Sequence, residues 1–144
     1  MRISDVLANK GSDVVTIEST ATVRDLIALL SRHGIGAVLV SVDGRLPAGL
    51  VSERDIVRQL HVQSEALMDR PVEEIMTTEV VVCSPSDKVT SALQTMTERR
   101  FRHMPVMADG AVVGMVSIGD LVKSRIDELA LERDQLSNYI SGAV

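Results

Sequence analysis

Gly49-Leu-Val-Ser-Glu-Arg-Asp55 and Gly114-Met-Val-Ser-Ile-Gly-Asp120 are two versions of one segment, and reading them decides the fold. Each begins as an apolar run and ends in Ser-x-x-Asp. A serine with an acid three residues later marks a helix start, so each segment reads as a strand end entering a helix. The likeness extends in both directions. Asp55-Ile56-Val57 matches Asp120-Leu121-Val122, and Asp43-Gly44 matches Asp109-Gly110 across a one-residue insertion near Pro47. Further upstream, Leu26-Ile27 falls on Ala92-Leu93, Val23 on Val89, and Val14-Val15-Thr16-Ile17 on Val80-Val81-Val82-Cys83. A short lead-in also repeats, as Ile3–Leu7 and Val72–Met76. The chain is therefore two copies of one unit.

Each copy predicts the same elements. Short β-rich runs at Val14–Ile17 and Val80–Cys83 end in polar clusters offering helix N-caps: Thr20 or Thr22 in one, Ser86 or Asp87 in the other. Val23, Leu26, Ile27 and Leu30 then keep the spacing of one buried helix face, as do Val89, Ala92, Leu93 and Met96. Apolar runs at Ala37–Val42 and Pro47–Val51 flank Asp43-Gly44, and runs at Met104–Met107 and Val112–Val116 flank Asp109-Gly110, both hairpin signals. A second helix closes each unit, with Ile56, Val57 and Leu60 apolar in one and Leu121, Val122 and Ile126 in the other. The expected fold is α/β (α+β): two tandem β-α-β-β-α units about a pseudo-twofold axis, plus a C-terminal helix. The expected boundaries are 1–62, a polar linker at 63–71, 72–126, and a helical extension at 127–144. A unit this small buries little surface alone, so the copies should pack together.

Composition narrows the function. The 144 residues are 45% hydrophobic and 24% charged, as in folded domains. No apolar run approaches a membrane span, and the N-terminus lacks the apolar stretch of a secretory signal. The net charge of −5 and the presence of only two aromatics, Phe101 and Tyr139, argue against a nucleic-acid partner. Cys83 is the sole cysteine; it reads as a small buried hydrophobe in a reducing, cytoplasmic protein. There is no phosphate-binding glycine loop, no nucleophile elbow and no metal spacing among His33, His61 and His103. Neither catalysis nor a metal is expected.

Ser52 with Asp55, and Ser117 with Asp120, form capping boxes by spacing alone. The same positions suit a ligand. A helix start favours phosphate, a carboxylate one turn in accepts ribose hydroxyls, and a preceding glycine admits close approach to the backbone. The doubled G-h-x-S-x-x-D pattern, together with Phe101-Arg-His-Met-Pro105, resembles the nucleotide signature of CBS domains (cystathionine-β-synthase-type motifs), whose tandem pairs are called Bateman modules. The resemblance spans about Ile3 to Ile126. It implies that Asp55 and Asp120 hold ribose hydroxyls and that Ser52 and Ser117 face ribose or phosphate. It further implies that Arg102 and His103 meet phosphate, that Thr16 and Cys83 lie near backbone contacting adenine, and that Val38 and Met104 wall the base. Gly36 and Ala37 stand in copy one where copy two has Arg102 and His103, with Arg54 and Arg58 as substitutes. On this reading a phosphate-bearing ligand prefers the Asp120 site.

The expected function is a non-catalytic sensor of AMP, ADP or ATP that signals energy state to an unidentified partner protein. The alternatives are a structural dimerisation module with vestigial sites, or a site for another adenosyl ligand such as NAD or S-adenosylmethionine. Val122, Ile126, Leu129, Arg133, Leu136 and Ile140 follow coiled-coil spacing. They form either a homodimer seam or a face packed along the chain's own body. The resemblance favours the homodimer.

Overall fold

The computed structural model describes residues 1–142. Its elements are α1 (Ile3–Lys10), β1 (Thr16–Ile17), α2 (Val23–His33), β2 (Ala37–Val40), β3 (Gly49–Ser52), α3 (Glu53–Gln63), α4 (Val89–Arg99), β4 (His103–Ala108), β5 (Ala111–Ser117) and α5 (Ile118–Ile140). Short 3-10 turns at Ser64–Asp69 and Val72–Glu74 join the halves. The expected α/β pair and C-terminal helix are present. That helix starts at Ile118 and runs without a break past 126, and residues 143 and 144 of the expected extension lie outside the described residues.

In the first sheet β1 runs parallel to β2, and β2 antiparallel to β3. In the second, β4 pairs antiparallel with β5, and the strand expected at Val80–Cys83 shrinks to one parallel bridge between Cys83 and Val106. Proline explains the loss. In the first unit the Leu39 N–H donates to the Val15 carbonyl at 3.4 Å. The matching residue of the second unit is Pro105, which has no N–H to give Val81. The hairpins differ too. Asp109 (φ 52°) and Gly110 (φ 76°) make a two-residue turn between paired Ala108 and Ala111. Asp43-Gly44 instead lies in a wider loop, where Asp43 Oδ1 accepts from Arg45 N at 2.9 Å and Leu46 N at 3.1 Å.

The lead-in segments are exchanged between units. Ile3 and Val6 are buried in the second core with Cys83, Val89, Met96, Met104 and Leu121. Leu67, Val72 and Ile75 are buried in the first core with Val23, Leu26, Val38 and Ile56. The exchange also caps helices. Val89 N donates to the Met1 carbonyl at 3.1 Å, and Val23 N to the Arg70 carbonyl at 2.9 Å. Thr22 caps α2 as expected, its Oγ1 accepting from Asp25 N at 3.1 Å. Neither Ser86 nor Asp87 caps α4: the helix starts after Lys88, and Asp87 Oδ2 instead accepts from Ser84 N at 2.8 Å. One residue expected on a buried face, Ile27, is exposed, as are several apolar residues of the closing helices. Ile27, Val57, Leu60, Val122 and Ile126 face outward, while Ile56 and Leu121 carry the burial of α3 and α5.

The signature glycines serve this exchange. A Cβ on Gly49 would sit 2.6 Å from Met76 Sδ and 2.9 Å from the Thr77 carbonyl oxygen. On Gly114 it would sit 2.7 Å from Leu7 Cδ2. The close approach is by the lead-in chain, which corrects the expectation of a ligand there. Thr77 is fixed by reciprocal bonds with Leu50, at 2.9 and 2.8 Å, whereas Leu7 can turn its side chain. Gly49→Ala should therefore cost about 1–3 kcal/mol of stability and Gly114→Ala less, as read by urea denaturation. Equal costs would refute the distinction.

Candidate functional site

Both capping boxes form. Ser52 N and Oγ donate to Asp55 Oδ2 at 2.8 and 3.1 Å, and Asp55 N donates back to Ser52 Oγ at 3.4 Å. Ser117 N donates to Asp120 Oδ2 at 2.9 Å, and Asp120 N to Ser117 Oγ at 3.1 Å. The first helical N–H groups are also spoken for: Glu53 N bonds the Gly36 carbonyl at 2.9 Å and Ile118 N the Arg102 carbonyl at 2.8 Å. Less of each helix start is open to a ligand than its dipole suggests, so the side chains around it decide what binds.

Each helix start opens onto a cleft with walls from both units. The cleft at Asp55, of about 290 Å³, holds Ser52, Glu53, Arg54 and Arg58 from the first unit. From the second it takes Val80, Val81, Arg99, Arg100, Phe101 and Arg102. The cleft at Asp120, of about 390 Å³, holds Met115 and Ser117 with Val15, Ile35, Gly36 and Ala37 of the first unit. His103 lines both. These volumes lie near the lower end for small-ligand sites.

The electrostatics of the clefts differ. Five arginines face three carboxylates, Glu53, Asp55 and Glu79, in the first. In the second, Lys10 is the one lysine or arginine, against Asp13 and Asp120. Its Nζ lies 2.5 Å from Asp120 Oδ2 and 2.7 Å from the Met115 carbonyl oxygen. Burial pushes the Asp120 carboxyl up, but the hydrogen bonds from Lys10 and Ser117, together with the Lys10 charge, outweigh it. The net effect holds the carboxyl below the usual aspartate value. Burial pushes the His103 imidazole down, Lys10 and Arg102 add to this, and Asp120 and Glu53 oppose it. His103 is thus neutral near pH 7, a hydrogen-bonding group rather than a cation.

The comparisons agree with this architecture. A family model described as the CBS domain matches residues 3–62 and again 72–127. The chain belongs to the CBS-domain family. The mitochondrial CBS domain-containing protein CBSX3 of Arabidopsis thaliana is 36% identical, covering 97% of this chain and 72% of its own. A crystal structure of a CBS-domain-containing protein from Agrobacterium tumefaciens, 37% identical, superposes with a TM-score of 0.84 over 87% of this chain and 99% of that one. A CBS domain protein of Pyrobaculum aerophilum complexed with AMP is 28% identical, with a TM-score of 0.77 over 91% of this chain and 99% of that one.

Within this CBS pair, Ser52, Arg54 and Asp55 gather on one cleft, and Ser117 and Asp120 on the other. Arg102 is the main correction. Sequence order puts it in the same copy as Asp120, but it lines the Asp55 cleft, because the segment entering β4 crosses to the other unit's helix start. The base-wall and adenine expectations also move. Val38 and Met104 are fully buried core residues, and Thr16 and Cys83 line neither cleft. The apolar walls are Leu50, Val80, Val81 and Phe101 in one cleft, and Val15, Ile35, Ala37 and Met115 in the other. Cys83 is the buried hydrophobe expected: burial, helped by Asp87, pushes its thiol up to about 12. Sequence reasoning missed Lys10, Asp13 and Glu79. Asp13 and Glu79 hold matching places just before Val14 and Val80, and following that register outward by one residue would have flagged both. No described helix is long and apolar enough to cross a membrane, and no metal-binding group of three His, Cys, Asp or Glu exists among the described residues.

Proposed function

We propose that this CBS pair is a regulatory sensor of adenine nucleotides and that the phosphate-bearing ligand occupies the Asp55 cleft. The carrying observation is the set of Arg54, Arg58, Arg99, Arg100 and Arg102 around a helix-start carboxylate. Asp55 accepts the ribose hydroxyls, the base lies between aliphatic side chains and Phe101, and the guanidinium groups meet phosphate. The AMP complex of the Pyrobaculum relative supports the ligand class. Binding draws the walls of the two units together, and a partner protein reads that change. We assign no catalysis, and we place the protein in the cytoplasm on its single buried thiol.

A panel of AMP, ADP, ATP, NAD and S-adenosylmethionine tests this reading. A ligand at about 100 times its dissociation constant adds roughly 2.7 kcal/mol of stability and raises the melting temperature. The first three should do so, with affinities of about 1 μM to 1 mM. No shift with any ligand would leave a dimerisation module with vestigial sites.

The homodimer belongs to the same proposal. Val57 on α3 and Val122, Ile126, Leu129, Leu136 and Ile140 on α5 are apolar and exposed, and every residue from Leu131 to Ile140 is exposed. A second copy would cover this stripe. Light scattering should give a dimer mass for the full chain and a lower association constant after removal of residues beyond Arg133. A monomer for the full chain would refute it.

A further inference from the structure

The Lys10–Asp120 pair has no counterpart in the other cleft. Lys10 is the last residue of α1 and reaches Asp120 from the exchanged lead-in, although the two are far apart in sequence. After the second lead-in the Asp55 cleft receives an acid, Glu79, and no lysine. Asp120 Oδ2 already accepts from Ser117 N, and Lys10 adds a second, charged donor to the same oxygen. With Met115 as its other acceptor, the ammonium has committed two of its three hydrogens. Both side chains are partly open to solvent, at 35% and 26% exposure, so the pair can be exchanged for a ligand without unfolding.

We propose that Lys10 is a latch that sets which ligands the Asp120 cleft accepts. Its ammonium and Ser117 N both hold Asp120 Oδ2, one of the two oxygens a ribose diol needs, so a diol gains that oxygen only by displacing the lysine. The latch rests on the reading that the helix-start carboxylates take ribose hydroxyls. Two chemistries are open to a lysine here, and they differ in sign. As a latch it competes with every ribose-bearing ligand, with or without phosphate. As a phosphate partner it would favour AMP and leave adenosine untouched. With Asp13 beside it and its hydrogens committed to Asp120 and Met115, competition is the better supported role.

Calorimetry on an Asp55→Ala background isolates the Asp120 cleft. Lys10→Met and Lys10→Gln should each tighten adenosine binding roughly two- to fivefold, the range of a partly exposed ion pair. AMP should tighten as well. Unchanged adenosine affinity in both variants, no binding in any variant, or weakened AMP binding overturns the latch. Circular dichroism and melting curves establish that each variant is folded. AMP titrated into the chain with Asp55 intact reads the other cleft, so the nucleotide proposal stands or falls separately from Lys10.

Discussion

Asp55→Ala is expected to weaken AMP binding by about 10- to 100-fold, whereas Asp120→Ala changes it by no more than about threefold. Hydrogen bonds to a charged group contribute about 1.5–3 kcal/mol, and in the proposed binding mode losing Asp55 removes the acceptor for both ribose hydroxyls. The asymmetry follows from charge. A phosphate at Asp55 would meet five arginines drawn from both units, whereas at Asp120 it would meet two carboxylates and a lysine already engaged. The alanine also removes the reciprocal half of the capping box, the bonds Asp55 Oδ2 accepts from Ser52, while Ser52 still caps the helix. Asp55→Asn, which keeps an acceptor for Ser52, separates the two effects: the cap is largely kept and the charge is lost. Calorimetry with AMP on the variants is the measurement. A larger loss from Asp120→Ala would move the phosphate to the Lys10 side and refute the assignment. Arg102→Ala should behave as an Asp55-cleft variant although it belongs to the other repeat.

Leu67→Ala should destabilise the fold by about 2–5 kcal/mol, the cost of truncating a fully buried leucine. By sequence, residues 63–71 read as a polar linker, where such a change would cost almost nothing. In the structure Leu67 is wholly buried, sitting in the first core with Val72 and Ile75. Leu131→Ala, on the exposed part of α5, is the control and should stay within about 0.5 kcal/mol. Urea denaturation decides. A cost below 1 kcal/mol for Leu67→Ala would mean that this segment is not part of the first core.

The limits of sequence reasoning show in particular residues. Helix periodicity found the buried Val23, Leu26 and Leu30, yet it also claimed Ile27, which faces outward. Periodicity identifies an apolar stripe without saying whether the chain's own core or a second copy covers it. The strand expected at Val80–Cys83 failed because its fate depended on a donor missing from Pro105, distant in sequence. The base-wall assignment to Val38 and Met104 failed because fully buried strand residues and cleft walls carry the same apolar signature.

The Gly-x-x-Ser-x-x-Asp segments determined by themselves that the chain is a duplicated strand-to-helix unit with a carboxylate held at each helix start. That information is local: the serine, the acid and the helix they cap lie within one turn. Which side chains surround each carboxylate was decided only by the tertiary structure. The units pack about their approximate twofold with exchanged lead-ins, so Arg102 serves Asp55 and Lys10 serves Asp120. Those contacts join residues that no local pattern relates, and they reverse the cleft to which the positive charge belongs.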